Sequence, residues 1–157
     1  MRVYLDNNAT TMVDPEAFEL MKPFFCEKYG NPNSLHKFGS ETHSALRRAM
    51  DQLYAAINAK DSDDIIVTSC ATESNNWVAK GIFFDKILNG EKNHVIISAV
   101  EHPAIAMSFD FLKKYGVRVS YIPVDENGQL DPNELRKIID DKTALVSIMW
   151  ANNETGT

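Results

Sequence analysis

From residue 64 onward, short apolar runs rich in β-branched residues alternate with helix-length amphipathic stretches. No other feature restricts the fold as strongly. Residues 65–68 (Ile-Ile-Val-Thr) read as a strand, 75–88 as a helix and 95–98 as a strand. A helix over 104–115, a strand over 117–124 with partial alternation, a helix from Asp131 to about 140 and an apolar strand over 144–150 follow. Strands apolar on both sides, separated by helices of this length, specify βαβ units: a mostly parallel sheet with helices on both faces. Right-handed crossovers then fix the hand of the winding.

The residues before this rhythm read as an arm and two helical segments. Residues 2–6 are extended and 7–11 form a polar turn. Asp14-Pro15-Glu16 starts a helix, with a capping aspartate, proline at the first helical position and an acid in the first turn. Ala17, Leu20, Met21, Phe24 and Phe25 repeat at helical spacing, and Pro23 interrupts them. A loop over 31–34 leads to a helix over 40–58. We expect residues 1–14 to be an N-terminal arm and 15–157 to belong to one α/β domain. Asp131 and Glu134 are spaced for a reciprocal helix cap.

Composition narrows the partners. The net charge of -6, with 16 basic residues scattered along the chain, disfavours nucleic acid and anionic membrane. No apolar run approaches a membrane span, and the N-terminus has no signal-like apolar core. Two distant cysteines, Cys26 and Cys70, make a disulfide framework unlikely to be the organising principle and point to a reducing cytoplasm.

Ligands of open parallel sheets bind beyond the carboxyl ends of the strands. Three polar clusters follow three of the strands read above: 69–76 (Ser-Cys-Ala-Thr-Glu-Ser-Asn-Asn), 99–103 (Ala-Val-Glu-His-Pro) and 151–156 (Ala-Asn-Asn-Glu-Thr-Gly). The first joins a strand to a helix start, where unpartnered N–H groups and the helix dipole favour an anion such as phosphate. Its plainer reading is a Ser69 or Thr72 helix cap. His102 likewise reads as an imidazole for a ligand or as a helix-start residue, and Asn152-Asn153 as ligand carboxamides or as a turn pair.

A metal is disfavoured, because the four histidines show no ligand spacing with cysteine, with carboxylates or with one another. Neither a P-loop nor a G-x-G-x-x-G dinucleotide turn occurs. Cys70 at a helix start favours its thiolate, yet no glycine-flanked nucleophile elbow surrounds it, and a packing thiol is the simpler reading. A small phosphorylated aromatic cofactor suits the set: phosphate on the helix start, a flat ring against an imidazole, an amide on a ring substituent.

On these residues the chain resembles the cysteine desulfurases of the NifS/IscS type, class V, fold-type I enzymes that use pyridoxal 5'-phosphate. The matching pieces are 4–11 (Tyr-Leu-Asp-Asn-Asn-Ala-Thr-Thr), 30–36 (Gly-Asn-Pro-Asn-Ser-Leu-His), 68–76, Glu101-His102 and 152–156, in the family's order across the whole chain. The resemblance implies that Ala71 and Thr72 hold the cofactor phosphate. It implies also that His102 stacks on the pyridine ring and moves protons, and that Asn153 bonds the ring's 3-oxygen. Asn33 and its loop lie near the family's active-site mouth. Cys70 replaces the family's usual glycine before the Ala-Thr pair, so a Cβ must fit that turn.

Family members are much longer. Their Schiff-base lysine, the aspartate facing the pyridine nitrogen and the persulfide-forming cysteine correspond to positions after Gly156, and none maps onto this sequence. The expectation is therefore an incomplete large domain of a fold-type I pyridoxal-phosphate transferase, inactive by itself. The activity implied for the intact protein is conversion of L-cysteine to L-alanine and an enzyme-bound persulfide. The persulfide would pass to an iron–sulfur scaffold protein, and the enzyme would be a cytoplasmic homodimer. A selenocysteine lyase or another class V enzyme, and a non-catalytic folding or dimerisation fragment, are the alternatives.

Overall fold

A computed structural model describes residues 1–157. The chain divides into two compact units, Met1–Val67 and Thr68–Thr157. The division falls immediately before the first polar cluster.

The first unit is helical. Helix α1 spans Pro15–Met21, α2 spans Pro23–Cys26 and α3 spans Lys37–Ala56. Asp14 caps α1 by accepting from the Glu16 and Ala17 amides, at 2.8 and 3.2 Å. Pro23 separates α1 from α2, because it offers no N–H to continue the first helix. The 30–34 loop lies hard against the start of α3. A Cβ on Gly39 would stand 2.2 Å from the Ser34 carbonyl oxygen, and one on Gly30 2.3 Å from that of Phe38. The Thr42 hydroxyl closes this contact by donating to the Gly30 carbonyl at 2.7 Å. Residues 65–68, expected as a strand, join no ladder; Ile66 and Val67 are 56% and 70% exposed. Local β propensity prepares an extended segment, but a strand exists only when a neighbour accepts its hydrogen bonds.

The second unit carries the α/β architecture. Helix α4 (Ala71–Ile82) runs on through a π-helical turn, Phe83–Ile87. Then come β1 (His94–Ser98), α5 (Pro103–Leu112) with a 3₁₀ turn at Lys113–Tyr115, β2 (Arg118–Ile122), α6 (Pro132–Ile138) and β3 (Thr143–Ser147). The sheet is fully parallel in the order β2-β1-β3. β1 is buried along its whole length. The β1–β3 register slips after His94, so that His94 faces Thr143 while Val95 faces Leu145.

Val95 and Ile97, on one face of β1, pack with Ala79 of α4, with Phe109 and Leu112 of α5 and with Val117. Burying such side chains contributes about 1.5–3 kcal/mol each, which accounts for α4 and α5 lying against the sheet and against each other. Helix α6 packs near β2. The expected α/β class and parallel sheet are therefore present. The reciprocal cap at α6 forms only in part. Asp131 accepts from the Asn133 amide at 2.8 Å, but Glu134 turns to Lys137, whose ammonium it reaches one helical turn on. No helix is long and apolar enough to cross a membrane.

Candidate active site

Three helices of this chain start alike, and α4 starts otherwise. Asp14-Pro15, His102-Pro103 and Asp131-Pro132 share one grammar. Proline at the first helical position has no N–H to satisfy, and the residue before it accepts from the next amide with its side chain. His102 does this through Nδ1, which accepts from the Ala104 N–H at 3.1 Å. Since Nδ1 supplies a lone pair, the neutral ring carries its proton on Nε2. The helix-start reading of His102 is thus correct in itself, and it fixes the tautomer of an exposed imidazole.

Helix α4 is built otherwise. Its N-cap is Cys70, which makes no side-chain cap bond, and its first residue is Ala71. The Glu73 and Ser74 amides bond back to the Cys70 carbonyl, whereas those of Ala71 and Thr72 stand ahead of the first intrahelical acceptor. Two N–H groups at the positive end of a helix of 12 residues are donors suited to an anion. Neither Ser69 nor Thr72 caps the helix. Instead Glu73 reaches backward, and its Oε2 accepts from both the N–H and the hydroxyl of Ser69 at 2.7 Å. These bonds hold the Glu73 carboxyl below its ordinary range. Cys70 takes up extended backbone, φ -166° and ψ 167°, which any residue adopts, so the Cβ in place of the family's glycine fits without strain. The Glu73 amide and the Ser69 hydroxyl also draw the exposed Cys70 thiol below its usual value.

Thr72 and His102 line one cavity of about 550 Å³ between α4 and α5. Asn76 and Lys80 of α4 and Met107 and Phe111 of α5 continue its walls. Asn153 lies outside this cavity, on the turn after β3, with its Nδ2 2.9 Å from the Glu154 Oε1. The structure therefore brings Ala71, Thr72 and His102 together at two adjacent helix starts. It places Asn153 on the neighbouring turn at the carboxyl edge of the sheet.

Asn152, read from sequence as a ligand carboxamide or a turn residue, and Glu101, read with no role of its own, tie these turns to each other. Asn152 is 8% exposed. Its Oδ1 accepts from the Glu154 and Thr155 amides at 2.8 and 3.0 Å, and its Nδ2 donates to the Val100 carbonyl at 3.3 Å. Glu101 accepts through one oxygen, Oε1, from the Ser98 hydroxyl at 2.9 Å and from the Met149 N–H at 2.6 Å. The only sequence signal for either was an acid or amide directly beyond an apolar run. No group of histidine, cysteine and carboxylate side chains is arranged to hold a metal.

Comparison with known proteins adds an independent line. Residues 3–157 match the family model described as aminotransferase class-V. The chain is 49% identical over 155 residues to a cysteine desulfurase IscS of Dictyoglomus turgidum and 44% identical to a cysteine desulfurase NifS of Azotobacter vinelandii. It covers 99% of its own length in both matches, but only 39% and 38% of those relatives. Among solved structures, a NifS-like protein matches with a TM-score of 0.92 at 43% identity, over 98% of this chain and 42% of that one. A structure of SspA in complex with cysteine matches with a TM-score of 0.88 at 30% identity, over 96% of this chain and 43% of that one.

Proposed function

Because this chain belongs to the aminotransferase class-V family, we propose that it is the N-terminal part of a pyridoxal-phosphate-dependent cysteine desulfurase. The observation that carries the reading is the shared cavity between two unlike helix starts. One keeps its first amides open beside Thr72; the other presents His102 in a defined tautomer.

The donor set fits the cofactor. A phosphate accepts from the Ala71 and Thr72 amides and from the Thr72 hydroxyl, at the positive end of α4. The anionic Glu73 is turned toward Ser69 by two hydrogen bonds, which limits its repulsion of that phosphate. His102 supplies a flat neutral ring for stacking and an Nε2–H for donation. Proton uptake by this ring at Nδ1 requires release of the Ala104 amide, so His102 gives up its cap bond whenever it acts as a base. Asn153 offers a carboxamide for the ring's 3-oxygen. When bound, pyridoxal phosphate supplies the electron sink that lets bonds at the substrate's α- and β-carbons break.

The reaction of the intact protein is then conversion of L-cysteine to L-alanine, with the sulfur left as a persulfide on a cysteine of the enzyme. Its sulfur acceptor is an iron–sulfur scaffold protein, and the enzyme is a cytoplasmic homodimer. The test is to load the intact protein with pyridoxal phosphate and give it L-cysteine or L-selenocysteine. Alanine formed from cysteine, with sulfide released under reductant, is the expected result. Turnover of selenocysteine alone moves the reading to a selenocysteine lyase, and turnover of neither removes it.

A further inference from the structure

The Glu101 carboxylate sits where the two halves of the proposed ring site meet. It follows β1 by three residues and directly precedes His102. One oxygen accepts a hydroxyl from the end of β1, Ser98, which is 2% exposed, and a backbone N–H from the chain leaving β3, Met149. The Asn152 amide closes the same gap in the other direction by reaching the Val100 carbonyl. The turn that carries His102 and the turn that carries Asn153 are thereby joined twice within a few residues. An alanine here would leave the Met149 N–H and the Ser98 hydroxyl without that acceptor, and of the two ties only the longer Asn152–Val100 bond, at 3.3 Å, would remain.

We propose that Glu101 is a positioning residue for the cofactor: by bridging the carboxyl ends of β1 and β3 it sets the separation of His102 from Asn153 and so fixes the seat of the ring. The inference rests on the pyridoxal-phosphate reading given above. Supporting residues of this kind matter because misplacement of a site group by a fraction of an ångström already weakens its function. Charge is not what the bridge requires. A glutamine oxygen accepts the same two bonds, whereas an aspartate, one methylene shorter, does not span both.

The experiment uses the intact protein loaded with pyridoxal phosphate and reads three quantities: the cofactor dissociation constant, the circular dichroism of the bound cofactor's absorption band, and kcat and KM for cysteine. With Glu101→Ala we expect the dissociation constant to rise about tenfold, the dichroism to fall about twofold and kcat to fall about tenfold at nearly constant KM. Glu101→Gln should stay within about twofold of wild type in all three, and Glu101→Asp should show a cofactor loss of about threefold. In a His102→Ala background the effect of Glu101→Ala on the dissociation constant should shrink to less than about threefold, since the two act through one another. Unchanged dichroism and affinity in Glu101→Ala, even with a lowered unfolding temperature, overturn the proposal. So does a Glu101→Gln variant as impaired as Glu101→Ala, or an effect that is the same with and without His102. Should Glu101→Ala fail to fold, an Glu101→Asp variant with wild-type affinity and dichroism overturns it as well. A wild-type protein with no cofactor band at all overturns the pyridoxal reading, and this inference with it, before any variant is compared.

Discussion

His94 and His102 flank the same strand, one at its amino end and one four residues past its carboxyl end, and they differ in burial, in partners and in which ring nitrogen is committed. His94 is fully buried. Its Nε2 lies 2.8 Å from the Ser120 hydroxyl of β2, and its Nδ1 lies 3.0 Å from the Thr143 hydroxyl of β3 and 3.4 Å from the Asp140 carboxylate. Arg118 completes the group through an ion pair with Asp140. Both ring nitrogens are engaged, and the ring joins all three strands. His102 is exposed, commits only Nδ1 to its helix cap and shares its cavity with Thr72. Residue type alone therefore says little about which histidine serves chemistry. What separates them is how much hydrogen-bonding capacity the fold has already consumed.

The comparison breaks most visibly at the buried end. His94→Ala removes a fully buried ring and takes from the Ser120 hydroxyl its ring partner, while Thr143 keeps its bonds to Asp140, so we expect a loss of about 2–4 kcal/mol in urea unfolding of the intact protein. Cofactor affinity, measured well below the unfolding transition, should stay within about twofold. A loss below about 0.5 kcal/mol would show that the cluster is not a structural joint.

At the open end the signs reverse. Thr72→Val takes a hydroxyl from the proposed phosphate site and should weaken pyridoxal-phosphate binding by about 1.5–3 kcal/mol, with little change in unfolding because Thr72 is exposed. An equal dissociation constant by fluorescence titration would count against a phosphate there. A smaller effect separates the two roles of His102. His102→Ala loses the cap to Ala104 and should cost about 1 kcal/mol of stability, which His102→Asn restores because asparagine is a strong N-cap. Neither variant should recover the ring's contribution to turnover in a cysteine assay; recovery by asparagine would reduce His102 to a cap.

The mildest probe is pH. Burial, then the Arg118 charge, pushes His94 below its ordinary value of 6.5, so the folded state resists a proton that the unfolded state accepts. Stability present above about pH 6.5 should decline as pH falls toward the lowered folded value. Asp140 is held down to about 2, chiefly by its bond to Arg118. Its contribution is complete above the unfolded carboxylate range near 4 and is lost as pH falls toward 2. Asp140→Asn should flatten that acidic segment of an unfolding-versus-pH curve and extend the His94 segment to lower pH, because the carboxylate that favours the charged ring is gone.

Much of this was legible in the sequence because it is local. The alternation after residue 64 announced the parallel sheet, Pro23 announced the break between α1 and α2, and the Asp-Pro pairs announced two caps. Helix α4 starts at Ala71, four residues before the expected position, because Cys70 in extended backbone rather than a polar cap ends the preceding turn. The segment 65–68 has the composition of a strand but finds no ladder. The 83–87 π turn and the redirected Glu134 likewise depend on neighbours rather than on period. In the site, the pairing of Thr72 with His102 was readable from two polar clusters that each open a helix, although only the one with His102 follows a strand. The turn role of Asn152 was readable too, but its bond to Val100 and the bridge made by Glu101 were not, since those partners lie 52 and 48 residues away. The same holds for His94: a strand-initial histidine carries no local sign that two later strands will each offer it a hydroxyl.

The β2-β1-β3 order also bears on how the chain is made. The central strand is synthesised before either strand that covers its edges, and β3 is completed roughly 50 residues after β1, or about 3–10 s later at ordinary elongation rates. β2 can cover one edge partway through that interval, but the other edge of the most apolar strand in the unit stays open until β3 emerges. Chaperone dependence and losses during expression should therefore track changes that delay β3, even when the finished fold tolerates them.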